Sequence, residues 1–121
     1  VSKKILSRDD ILKISDIKVE EVHVPEWGGY VYVRTLTAAE RDKFEQDIIE
    51  IKGKQVLTKD NIRAKLVARA VCNPETKERI FTDKDVEALS KKSGAALSRI
   101  YNVAAKLSGL SDEDLGELAK N

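Results

Sequence analysis

Apolar and polar positions follow two different periods along this chain. Between 17 and 36 the spacing is that of strands, with Val19, Val22 and Val24 on one arm and Val31 and Val33 on the other. The Pro25-Glu26-Trp27-Gly28-Gly29 cluster between them predicts a β-hairpin over 17–36. Placing Val24 opposite Val31 and Val22 opposite Val33 gathers four valines on one core-facing side. The same register sets His23 opposite Tyr32 and Glu21 opposite Arg34 on a wet, partly aromatic side. A slip of the period between Val19 and Val22 points to a bulge near Glu20-Glu21.

Elsewhere the spacing is helical. Ser7 with Asp10 is a capping-box pattern that opens a short helix over 8–14, with Ile11, Leu12 and Ile14 as a small apolar stripe. Thr37 with Glu40 opens a second helix expected to run to about Ile51, since Phe44, Ile48 and Ile51 recur at i, i+4 and i+7. A third, starting near Lys59-Asp60, carries Ile62, Leu66, Ala70, Val71 and a small buried Cys72, and Asn73-Pro74 stops it. After a polar turn, Ile80-Phe81 makes a short apolar landing. Thr82 with Asp85 then starts a helix whose Val86 and Leu89 face inward. The best helical pattern spans 95–107, with Leu97, Ile100, Tyr101, Ala104 and Leu107 in register and Gly109 placed as its C′ residue. Ser111-Asp112-Glu113-Asp114 caps a final short helix.

No repeat, low-complexity stretch or long linker divides the chain. The fold class is α+β: one domain over 1–121, with the hairpin packed on a helical region over 38–120 of about five helices. The expected core sets Val22, Val24, Val31 and Val33 against Phe44, Ile48, Leu97 and Ile100.

Composition narrows the class. The 121 residues are 41% hydrophobic, enough for a core, and the net charge of +1 excludes a histone-like basic protein. Charged residues reach 36%, above the roughly 25% of ordinary domains, so the surface is heavily charged with both signs. No apolar run approaches the roughly 18 residues of a membrane span, so no membrane partner is expected. The single cysteine, Cys72, excludes an internal disulfide and suits a reducing compartment. Methionine is absent, so Val1 reads as a processed or artificial start.

Reactive chemistry is hard to place. One histidine and one cysteine cannot make a zinc set, and nothing in their spacing makes His23 and Cys72 a nucleophile pair. Gly28-Gly29 leads from strand to strand, which is hairpin chemistry and not a phosphate loop. The acid run 112–114 suits a helix start better than a calcium loop. The expectation is therefore no catalytic residue, no cofactor and no metal.

Two features point to binding. Between Lys52 and Arg69 the basic residues Lys52, Lys54, Lys59, Arg63, Lys65 and Arg69 face a lone acid, Asp60, the footprint of either nucleic-acid binding or a solvated or protein-docking face. Trp27, Tyr30 and Tyr32 gather at the hairpin tip, where they either pack on the domain's own helices or anchor a partner.

The order of these elements resembles the tail assembly chaperones of long-tailed bacteriophages and prophages. The residues that carry the resemblance are Val22-His23-Val24-Pro25-Glu26-Trp27-Gly28-Gly29, Val31-Tyr32-Val33-Arg34, Leu36-Thr37-Ala38-Ala39-Glu40-Arg41-Asp42 and Phe44-Glu45. Asn61-Ile62-Arg63-Ala64, Leu66-Val67-Ala68, Phe81, Asp85-Val86-Glu87-Ala88-Leu89 and Lys106-Leu107-Ser108-Gly109-Leu110-Ser111 follow in order. The match spans about 5–121, and Tyr30 departs from it, standing where the family varies.

The resemblance implies a non-enzymatic protein of the host bacterial cytoplasm, absent from the mature virion. It implies two partners, the tape measure protein and the tail tube protein, and leaves room for self-association. Trp27, Tyr30 and Tyr32 are the candidate partner-binding residues, and nucleic acid is not an expected partner. The alternatives are a small nucleic-acid-binding regulator using the basic segment, or a structural tail or connector subunit. The family habit of a longer, frameshifted form also gives the closing Ala119-Lys120-Asn121 two readings. Lys-Asn is either an ordinary dipeptide or the AAA-AAC end of a slippery heptamer.

Overall fold

Val19 to Val24 (β1) and Gly29 to Arg34 (β2) form the expected antiparallel hairpin, joined by a 3-10 turn over Pro25–Trp27. A computed structural model describes residues 3–52, 55–58 and 61–110, for 49–52 and 55–58 the backbone alone. The remaining elements are α1 (Arg8–Lys13), α2 (Ala38–Ile48), β3 (Ile49–Lys52), β4 (Gln55–Thr58), α3 (Ile62–Ala70), β5 (Val71–Cys72), α4 (Val86–Ser90) and α5 (Gly94–Leu107). A second 3-10 turn, Asp83–Asp85, leads into α4. The helix expected from Ser111 and the Lys120-Asn121 end lie outside the described residues.

The hairpin's register differs from the expectation by two residues. Val22 faces Val31, His23 faces Tyr30 and Glu21 faces Tyr32, while Val24 faces Gly29. The turn is tighter than a five-residue loop: the Gly28 N–H bonds to the Pro25 carbonyl at 3.1 Å, and Gly28 takes φ +71°, a conformation glycine adopts without strain. A shift of two preserves the faces, so the valines still point to the core. Val22, Val24 and Val33 are buried in one cluster with Phe44, Ile48, Leu97 and Ile100, and Val31 packs at its margin. The expected bulge at Glu20-Glu21 is absent, since β1 pairs without a break. Val19 simply lies on the outer side, opposite Arg34.

Three strands were not anticipated. Helix α2 stops at Ile48, and β3 and β4 pair as a second hairpin, Ile49 facing Thr58 and Lys52 facing Gln55. Ile49 and Ile51 alternate with Glu50 and Lys52, a strand pattern that a helical stripe through Ile51 also satisfies. Val71 and Cys72 leave the helix as β5 and extend the first sheet to the order β1-β2-β5, with Val33 facing Val71 and Tyr32 facing Cys72. Cys72 is thus a buried strand cysteine, not a helical one. Pro74 disfavours helix just before it, and the sheet edge supplies the backbone partners a helix would have supplied.

The sheet and α2 to α5 enclose one core. Helix α5 contributes Ala96, Leu97, Ile100, Tyr101, Ala104 and Ala105, and α3 contributes Ala64, Leu66, Val67, Ala68 and Ala70. The end of α5 is a Schellman motif: the Leu110 N–H bonds to the Ala105 carbonyl at 2.7 Å, with Gly109 at φ +70°. Ser108 binds this end to the link between β2 and α2, its Oγ accepting from the Leu36 N–H at 2.9 Å.

Arg34 has no place on a wet face. It is buried, and its guanidinium donates to both carboxylate oxygens of Glu40 at 2.7 and 2.6 Å. Glu40 also closes the expected capping box, accepting from the Thr37 N–H at 2.9 Å while the Thr37 hydroxyl accepts from the Glu40 N–H at 3.2 Å. The bidentate arginine holds the Glu40 carboxyl down at about 2. One glutamate thereby ties the end of β2 to the start of α2.

Helix α1 departs most from the expectation. Its capping box forms, with the Ser7 hydroxyl accepting from the Asp10 N–H and Asp10 accepting from the Ser7 N–H, both at 3.1 Å. Its apolar residues nevertheless stay in solvent: Ile11 is 56% exposed and Leu12 67%, and Ile5 and Ile14 are exposed as well.

Candidate interaction surface

The outer side of the first sheet is built by strand alternation. Residues 21, 23, 30 and 32 point away from the valine core, and the register brings them together in pairs. Tyr30 stacks on His23 with ring centroids 4.7 Å apart and planes 24° from parallel. The Tyr32 hydroxyl donates to Glu21 Oε2 at 2.6 Å, and that carboxylate pushes the phenol above its ordinary pKa. Of the three aromatic candidates, Tyr30 is 62% exposed and Trp27 37%, and Tyr32 is half-buried.

Trp27 sits in the turn rather than on the sheet. Its neighbour Glu26 bonds in bidentate fashion to Arg99 of α5 at 2.6 and 3.0 Å, which holds the Glu26 carboxyl at about 2 and ties the hairpin tip to that helix. The structure therefore places Tyr30 and Tyr32 on one face of the sheet and Trp27 in the turn that Glu26 ties to α5. The ring stack involves His23 and Tyr30, not Trp27.

Beside the tyrosines runs an open groove of about 240 Å³, lined by Tyr30, Tyr32, Cys72, Pro74 and Ile80. Its far wall is shaped by Asn73, whose Oδ1 accepts from the N–H groups of Glu75 and Thr76 at 2.8 and 3.2 Å. Ile80, read as part of an apolar landing, is 56% exposed, while Phe81 packs on the core. Cys72 is chemically quiet here: burial raises its thiol pKa, which disfavours the thiolate a nucleophile needs. His23 stacks on Tyr30 and is not arranged as its base.

Among the described residues, the cations of the basic segment do not form one continuous face. Arg69 is buried, bonding Asp47 at 2.6 Å and lying 3.7 Å from Asp83, and the Lys65 ammonium donates to the Asp47 carbonyl at 3.0 Å. Arg63 alone of the helical cations stays exposed; the side chains of Lys52, Lys54 and Lys59 lie outside the described residues. Among the described residues no group of three or more His, Cys, Asp or Glu could hold a metal ion, and the acid run 112–114 lies outside them. Within the same residues no helix is long and apolar enough to cross a membrane.

Sequence reasoning missed two features of this surface. The groove depends on β5, whose two residues carry no strand period of their own. The exposure of α1 depends on what the rest of the fold leaves uncovered, and an apolar stripe has the same appearance either way.

Fold and surface together define a small α+β protein that holds aromatic and aliphatic side chains outward on rigid elements. The model of the phage tail assembly chaperone family matches residues 12–121, nearly the whole chain, and the chain belongs to that family. Comparison with curated proteins and with solved structures gives no match.

Proposed function

We propose that this protein is a non-enzymatic chaperone that covers the tape measure protein before tail assembly and helps to gather tail tube subunits around it. The observation that carries the reading is the family match over 12–121, and the outward aromatic face agrees with it. A long amphipathic helix exposed before assembly aggregates, and docking its apolar stripe on aromatic side chains removes that surface from water. Trp27, Tyr30 and Tyr32 are the proposed partner-binding residues. Many copies on one long partner let each contact be weak and reversible. The working place is the host cytoplasm, and the finished particle does not retain the protein.

Co-production with the cognate tape measure protein tests this. The tape measure is expected in the soluble fraction, co-eluting with the chaperone, and in the pellet without it. A tape measure that never co-elutes, or stays soluble alone, overturns the reading. Tube protein added to the co-eluting complex is expected to join it. The nucleic-acid alternative predicts binding to duplex DNA that falls steeply with salt. The burial of Arg69 in ion pairs weighs against it.

A further inference from the structure

Arginine is paired almost everywhere on this molecule. Among the described residues Arg8, Arg34, Arg41, Arg69, Arg79 and Arg99 each meet a carboxylate at 3.1 Å or less. Arg63 is the one arginine of the seven with no such partner there. It stands at a groove of about 380 Å³ between the starts of α3 and α5 and the end of α4. Ile62, Ala64 and Leu97 give the groove an apolar floor, and Lys92 joins Arg63 at its exposed edge. None of its described lining residues is acidic.

We infer that this groove is a docking surface for a partner protein, and that its occupant is an acidic helical segment with leucine-sized side chains along one face. Such a surface goes beyond the tape measure reading and stands without it.

Two other cavities show what sets this groove apart. The one of about 340 Å³ beside Arg69 holds Asp47 and Asp83 as well as Lys65, so its cations are answered from within. The groove beside Tyr30 has no cation in its described lining and carries Glu21 on the Tyr32 hydroxyl. Only between α3 and α5 does unanswered positive charge border an apolar floor. A carboxylate next to an aliphatic side chain satisfies both halves of that surface.

The walls decide the form of the occupant. They come from α3, α4 and α5, with no strand edge among the described lining. An extended peptide would find no ladder there for its backbone, whereas a helix brings its own hydrogen bonds and presents only side chains. Nucleic acid fits less well, since two cations at one groove do not track a phosphate backbone and the apolar floor would go unused. The groove shares no lining residue with the one beside Tyr30, and α5 packs on the valine side of the sheet. Both surfaces can therefore be filled at once.

Titrating the isotope-labelled full chain with a capped helical peptide of Glu and Ala, with one Leu per turn, tests this. Amide shifts are expected to move over 61–64 and 90–97 and to stay fixed over 21–32, and binding is expected to weaken as salt rises. Arg63→Glu and Lys92→Glu change exposed side chains, so both keep the wild-type thermal midpoint and each weakens binding about tenfold or more. Gly94→Leu fills the mouth without removing a cation. A Cβ there meets nothing within 4 Å, so the fold is kept while the peptide is excluded. Lys84→Glu, which makes the same charge change away from the groove, binds as the wild type does. A peptide with Ser in place of Leu is expected to bind about tenfold more weakly, since the floor then gains nothing. No binding at about 1 mM peptide, shifts centred on 21–32, an Arg63→Glu or Gly94→Leu chain that binds undiminished, or displacement of the peptide by a duplex oligonucleotide overturns the proposal.

Discussion

Helices α1 and α5 both show an apolar stripe in the sequence, with a serine cap legible only before α1, and in the structure both begin at a serine cap. In α1 the Ser7 hydroxyl accepts from Asp10, and in α5 the Ser93 hydroxyl accepts from Ala96. Around α5 the sheet and α3 close over Leu97, Ile100 and Ala104 until nothing of them reaches water beyond a few per cent. Among the described residues nothing closes around α1. Local rules specify that a segment is helical and which side is apolar, whereas coverage of that side depends on elements distant in sequence.

The sharpest way to break this comparison is to truncate one side chain in each helix. Ile100→Ala is expected to cost about 2–5 kcal/mol in urea unfolding, the range for a buried aliphatic truncation. Equal losses for Ile100→Ala and Ile11→Ala would show that α1 packs on the core after all.

Helix α2 stands between the two, since its capping glutamate is also tied to a buried arginine. Glu40→Gln leaves Arg34 with a neutral acceptor and is expected to cost about 1.5–3 kcal/mol, the worth of hydrogen bonds to a charged group. The effect carries a pH signature. Glu40 has its carboxyl lowered from 4.5 to about 2 in the folded chain, so it binds protons more weakly folded than unfolded. Its contribution is complete above pH 4.5 and is lost as pH falls from there towards 2. The Glu40→Gln variant should therefore lose less stability than wild type across that window, and parallel acid limbs would contradict the assignment.

Smaller again is the end of α5. Gly109→Ala places a side chain at φ +70°, where its Cβ meets only the Arg41 guanidinium at an ordinary 3.6 Å. The cost is conformational, about 1–2 kcal/mol, and it should appear as fraying of the last turn by hydrogen exchange.

The smallest effects belong to α1. Ser7→Ala and Ile11→Ala should shift global stability by less than about 0.5 kcal/mol. Ser7→Ala should nonetheless raise amide exchange within 8–13, because the cap holds that helix alone.

Much of the fold could be read in the chain because its signals are short-range. The capping boxes at Ser7, Thr37 and Thr82, the stripe of α5 and the Gly109 terminus each involve residues within a turn or two of one another. The valine face of the hairpin was legible for the same reason. Its register was not, since moving the pairing by two residues leaves every valine on the same side and only the closing of the turn distinguishes the two. The aromatic candidates were named in advance, but the groove beside them was not, because Cys72, Pro74 and Ile80 reach it through a third strand.

The sequence by itself determined the α+β class, the capped helix starts at Ser7, Thr37 and Thr82, and which face of the hairpin and of α5 is apolar, since propensity and capping act over three or four residues. Tertiary structure decided the rest. It turned Val71 and Cys72 into a strand by offering the edge of β2. It drew Arg34 and Arg69 inward by bringing Glu40 and Asp47 within reach. It left Ile11 and Leu12 in water by packing the other described helices elsewhere. Each of these depends on contacts between distant segments, which no local pattern contains.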